Sequence, residues 1–194
     1  MRIIRAGDCK TTPWKNGGGS TTEIAIGPTG ASLEAFDWRV SMARVASDGP
    51  FSDFIGIDRT LAVVKGNGLV LITGKDAPVM LSSGSDPVSF PGDTPTSARL
   101  TAGEITDLNV MTRRGRFRHR LVRIDKSTPC EFGDNDIAVV LSLDGATTIN
   151  FGQDSTTLDH GDAAVLSRTT TGFRILPATK HCYLVWLREQ RASK

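Results

Sequence analysis

The chain of 194 residues carries 23 lysines and arginines against 21 aspartates and glutamates, a formal charge of +2, with 39% hydrophobic residues, 20 glycines and 9 prolines. At this length folding buries roughly 70% of the unfolded surface, so a core of one compact or double-lobed domain forms without disulfides or metal. A charge so close to balance excludes a general electrostatic field for polyphosphates or membranes, and an acidic ligand must be captured by local arginines.

Cys9, Cys130 and Cys182 are odd in number and far apart, the pattern of neither a disulfide framework nor a thiolate metal site. No apolar run nears the about 18 residues of a membrane span, and the first residues lack the apolar region of a secretory signal. The expected location is the cytoplasm.

From the N-terminus, Pro13-Trp14-Lys15-Asn16-Gly17-Gly18-Gly19-Ser20 is the most unusual stretch. Successive N–H groups of such a turn can face an anion, with Trp14 and Lys15 placed to stack on it or pair with it. A plain structural turn into residues 21–26 fits the same residues, and the absence of Walker spacing disfavours a nucleotide. In Trp38-Arg39-Val40-Ser41-Met42-Ala43-Arg44-Val45 the period of two sends Arg39, Ser41 and Ala43 to one face. One guanidinium among small residues suits an anion clamp, although an edge strand with a solvated arginine reads the same way.

Short apolar runs at residues 61–64, 69–72, 137–143 and 182–187, bounded by Gly, Asp, Asn or Pro, predict strands. Apolar residues at helical spacing are nowhere sustained. The expectation is an all-β chain of the sandwich or barrel kind. A weak internal echo, residues 61–68 leading to Pro91-Gly92-Asp93 and residues 139–145 leading to His160-Gly161-Asp162, suggests two jelly-roll-like lobes that divide near residues 113–128.

The strand around residues 107–113 turns Asp107, Asn109, Met111 and Arg113 to one face, a row of donors and acceptors that can hold a small polar ligand or an exposed Asp–Arg pair. Six arginines then fall within residues 113–123. With Phe117 and His119 between them they could track a single strand of nucleic acid, but the balanced total charge favours a solvated connecting strand. His119, His160 and His181 lack metal-ligand spacing, no GxSxG elbow occurs, and no catalytic nucleophile stands out.

Taken together, Pro13-Trp14-Lys15-Asn16-Gly17-Gly18-Gly19 with Thr22-Glu23, Phe36-Asp37-Trp38-Arg39-Val40-Ser41, Asp48-Gly49-Pro50-Phe51-Ser52, Gly56-Ile57-Asp58-Arg59, Pro91-Gly92-Asp93 and Asp107-Leu108-Asn109-Val110-Met111 resemble the HutD/Ves family, from about residue 2 to residue 187. The resemblance implies a metal-free bicupin of two stacked jelly-roll-like barrels, residues 1–112 forming the N-terminal lobe and 113–194 the C-terminal one. It also implies a small-molecule binder or regulator tied to histidine utilisation, with no cofactor and no catalytic residue. Trp14, Lys15, Asn16, Gly17, Gly18, Arg39, Ser41, Asp58, Arg59, Asp107, Asn109, Met111 and Arg113 would line the N-terminal cup.

Urocanate, formiminoglutamate and formylglutamate, all anionic, are chemically consistent with arginines beside amides. The expected partner is therefore a small anionic metabolite, not nucleic acid or membrane, with a homodimer allowed for. A metal-independent enzyme using Asp58 or Asp107 as general base, and a protein-interaction scaffold, are the alternatives.

Overall fold

The computed structural model describes residues 1–168 and 172–191. Apart from one 3-10 turn, Ala6–Asp8, every regular element among them is a strand. The chain opens with β1 (Arg2–Ile4), β2 (Lys10–Pro13), β3 (Gly19–Gly27), β4 (Trp38–Val45), β5 (Gly49–Pro50), β6 (Ile57–Lys65), β7 (Leu69–Thr73), β8 (Val79–Leu81), β9 (Val88–Pro91), β10 (Thr96–Leu100) and β11 (Ile105–Arg113). It continues with β12 (Phe117–Ile124), β13 (Thr128–Cys130), β14 (Ile137–Ser142), β15 (Thr147–Phe151), β16 (Asp154–Leu158), β17 (Ala163–Ser167), β18 (Phe173–Pro177) and β19 (Cys182–Glu189). No helix among the described residues is long and apolar enough to cross a membrane.

The chain divides into two compact units, Lys10–Arg116 and a second made of Met1–Cys9 with the residues from Phe117 onward. The first holds a six-stranded sheet in the order β2-β3-β4-β11-β6-β9 and a four-stranded sheet in the order β5-β10-β7-β8. The second holds a five-stranded sheet, β1-β17-β14-β19-β12, and a four-stranded one, β13-β18-β15-β16. This division departs from a simple cut at residue 112. The first nine residues join the second unit because β1 pairs antiparallel with β17, Ile3 opposite Ala164, and Asp162 accepts hydrogen bonds from the Ala6 N–H at 2.9 Å and the Arg5 guanidinium at 2.5 Å. Three residues of strand are too few to announce a partner more than 150 positions away.

Alternation decides what each unit buries. In the first unit Ala43, Leu61, Val63, Leu69, Leu71, Leu81, Phe90 and Ala98 form one apolar cluster, and Phe36, Ile57 and Met111 a smaller one. In the second unit the apolar core centres on Phe132, Phe173 and Trp186, whose rings lie 5.5–5.9 Å apart, with the buried hydroxyls of Ser142 and Thr147 bonded to each other and Asp162 buried under the first residues. The two units thus differ in what fills them, and the difference locates the site.

Candidate functional site

Antiparallel register places the candidate residues in three rows across the large sheet of the first unit. Met111 lies between Arg39 and Arg59, Asn109 between Ser41 and Leu61, and Asp107 between Ala43 and Val63. Because side chains alternate along a strand, Arg39, Ser41 and Ala43 share one face with Asp107, Asn109 and Met111. Leu61, Val63 and Met111 belong to the two apolar clusters, so the polar side chains sit between them. Arg39, Ser41, Arg59, Asp107 and Asn109 are between 1% and 8% exposed.

Such burial requires partners. Arg39 donates from Nε to Glu23 Oε2 at 2.9 Å and from Nη1 to Ser41 Oγ at 3.4 Å. Arg59 donates from Nη2 to Asn109 Oδ1 at 2.8 Å and from Nη1 to the Ser52 carbonyl at 3.4 Å, and Asn109 Nδ2 in turn donates to Asp107 Oδ1. The Arg59 guanidinium also lies 4.9, 5.7 and 5.3 Å from the ring centres of Phe51, Phe54 and Phe90, whose faces attract a cation. Its Nε remains buried without a partner among the described residues.

The electrostatics follow from this geometry. Burial pushes Arg59 down to about 10, with the Asp107 charge opposing the shift and the Arg39 charge adding to it, so Arg59 is cationic at neutral pH. Burial likewise pushes the Asp107 carboxyl up to about 7 against the combined pull of Arg59, the Ala43 N–H and Asn109. Arg39 is matched by Glu23, and Arg59 is matched by Asp107 only when that carboxyl is ionised.

The other expected residues make different contacts. Asp58 points away from the row, its side chain 47% exposed, and accepts from Arg114 Nε at 2.7 Å. Arg113 donates to the Phe36 and Glu34 carbonyls at 3.0 and 2.9 Å and lies over the Phe36 ring, anchoring the segment before β4. Trp14 donates from Nε1 to Thr21 Oγ1 at 2.8 Å and packs on the larger apolar cluster.

Lys15, Asn16 and Gly17 form the exposed tip of the β2–β3 turn, where Asn16 Oδ1 accepts from the Gly18 N–H at 3.0 Å. Gly18 is buried against Ser47, a Cβ there falling 2.6 Å from its hydroxyl. These turn residues are described by their own hydrogen bonds, none of which runs to the buried row.

Glu23 and Phe51 belong to the motifs that carry the family resemblance, but neither they nor Phe54 and Phe90 were expected in the site. Glu23 stands opposite Ser41 in the β3–β4 register, next to an irregularity between Glu23 and Ala25. A carboxylate inside a run of strand formers was the available signal for Glu23; for the aromatic contacts, which come from Phe51, Phe54 and Phe90, only the Phe51 motif stood out in the sequence. A surface groove of about 430 Å³ lies apart from the row, on the second unit. Its arginines meet its own carboxylates, Arg188 with Asp134 at 3.3 Å and Arg168 with Asp136 at 3.7 Å, which leaves a solvated ion-pair network of small energetic weight.

A family model described as HutD matches residues 6–184. An uncharacterised 21.2 kDa protein in the hutC 3′ region of Pseudomonas putida is 36% identical over 126 residues, a match spanning 64% of this chain and 65% of that one. Protein Ves of Citrobacter koseri is 36% identical over 149 residues, 76% of this chain and 74% of its own. The solved structure of HutD from Pseudomonas fluorescens SBW25, in a formate condition, superposes with a TM-score of 0.85 at 31% identity, covering 98% of this chain and 99% of the other. A cupin 2 conserved barrel domain protein from Leptotrichia buccalis shares the fold at 12% identity, with a TM-score of 0.53 over 93% of this chain and 96% of its own. The β-rich fold is accordingly cupin-like.

Proposed function

Because the chain belongs to the HutD family, we propose that it is a histidine-utilisation-associated receptor for a small anionic metabolite, held at the buried polar row of its first unit. The link to histidine utilisation is supported by the P. putida relative in the hutC 3′ region. The single observation that carries the binding reading is Arg59, a 6% exposed guanidinium whose Nε lacks an acceptor among the described residues. A buried polar group left unpaired costs about 1–3 kcal/mol, a penalty that a ligand oxygen would relieve. Arg39 on β4, across β11 from Arg59, together with Ser41 and Asn109 supplies the further donors that a carboxylate or formyl group needs.

Isothermal titration with urocanate, formiminoglutamate and formylglutamate tests the reading. One or more should give saturable heat, and Arg59→Lys should weaken it by roughly 10–100-fold, since lysine keeps charge but loses the planar donor set. Arg39→Lys should do the same. No heat from any of the three at millimolar concentration would defeat the proposal. NMR of the same mixtures reads turnover, which binding alone does not produce.

A further inference from the structure

The charges in the buried row do not admit a second anion without adjustment. Arg39 is held by Glu23 at 2.9 Å, and Arg59 reaches Asp107 through Asn109, which accepts from Arg59 and donates to Asp107. The strand neighbours of Asp107 and the apolar cluster beside its row carry no charge. Val63 and Leu61 come from β6, Ala43 and Ser41 from β4, and Leu69, Leu71, Leu81 and Ala98 from the facing sheet. Asp107 is the balancing anion for Arg59, and it has no water-facing route by which to share its charge, being 1% exposed.

An incoming carboxylate that takes Arg59 would leave Asp107 as a second buried anion beside one cation. Two carboxylates sharing such a site do not both stay ionised; one takes a proton. We propose that this protein binds its anion together with a proton, and that Asp107 is the residue that accepts it. This rests on the binding reading above and adds to it a specificity rule: the ligand enters as an anion–proton pair, so apparent affinity falls as the solution becomes more alkaline. The Asp107 carboxyl, already raised to about 7 before any ligand arrives, is partly protonated at neutral pH and needs little further change.

Titration calorimetry at pH 8 in several buffers of different ionisation enthalpy measures the protons taken up on binding. At that pH neither carboxylates nor an ordinary imidazole of the added compound titrates. With whichever of urocanate, formiminoglutamate or formylglutamate gives heat, uptake should approach one proton at pH 8 and fall towards zero at pH 6, while apparent affinity drops about tenfold per pH unit above 7. Asp107→Asn should abolish the uptake and flatten the pH dependence, with affinity at pH 8 close to that of the unaltered protein at pH 6.

Binding without net proton uptake overturns the proposal and leaves the receptor reading intact, as does uptake that persists in Asp107→Asn. Absence of heat from all three compounds defeats both.

Discussion

Arg59 and Asp107 show how strongly a closed apolar surround changes ordinary side chains. The same guanidinium on a surface would be solvated and of small consequence; between Phe51, Phe54 and Phe90 it becomes the most demanding group of the first unit. For Asp107 the consequence extends to stability. Its carboxyl is raised to about 7 in the folded chain and titrates near ~3.9 when unfolded, so the folded state binds the proton more tightly. Its contribution to stability is therefore full below about pH 4 and is lost as pH rises through 7, the reverse of a carboxylate with a depressed value. Urea denaturation of the protein and of Asp107→Asn should give similar stabilities at pH 4 and diverge above, the variant being the more stable at pH 8 by an amount on the order of a few kcal/mol. Equal pH dependence in the two proteins would contradict that expectation.

The strands β4 and β11 bring these residues together, and their alternation was readable because polar residues recur at every second position between apolar ones. What lies across from each residue was not readable. Arg39 and Arg59 flank Met111 only because β4 and β6 both pair with β11 in this register. The β2–β3 turn carries a separate lesson. Its glycines look alike in sequence, yet their surroundings differ sharply. A Cβ on Gly19 would fall 2.1 Å from the Arg44 carbonyl oxygen and 2.9 Å from the Trp14 ring, whereas one on Gly17, at φ +72°, meets nothing within 4 Å. Gly19→Ala should cost about 3 kcal/mol or more through backbone displacement, and Gly17→Ala about 1–2 kcal/mol from its left-handed conformation alone. Thermal denaturation of the two variants checks the order, which a purely flexible turn would not produce.

At the level of the whole chain, the two units share a cupin-like plan of a larger and a smaller antiparallel sheet; the first buries a row of charged and amide side chains on its large sheet, whereas the second buries Asp162 under the chain's first residues. The second is closed by Phe132, Phe173 and Trp186 and is completed by the chain's first residues. Asp162 is the fastening point. Burial alone would raise its carboxyl, but hydrogen bonds from the Ala6 N–H, Arg5 and the Asp159 N–H, together with the charge of Arg5, hold it below the usual carboxylate range. Asp162→Ala leaves those donors without their acceptor and should lower stability by about 2–4 kcal/mol, as read by chemical denaturation. Since its value is depressed, this carboxylate's contribution is present at neutral pH and is lost as pH falls below about 4.

The order of apolar and polar residues along the chain was enough to determine an all-β architecture and to put Arg39 with Ser41, and Asp107 with Asn109 and Met111, on common strand faces, because a strand's period of two is local; that both faces are buried was decided by the tertiary structure. The motifs of residues 13–19, 36–41, 56–59 and 107–111 were enough to mark the family. Tertiary structure alone decided that Asp58 pairs with Arg114 and Arg113 with the Phe36 carbonyl, that Glu23 neutralises Arg39, that β1 completes the second unit, and that Asp107 lies where its proton is held near neutrality. Those outcomes depend on which distant strands become neighbours and on how completely water is excluded between them, and neither quantity is a property of any short stretch of sequence.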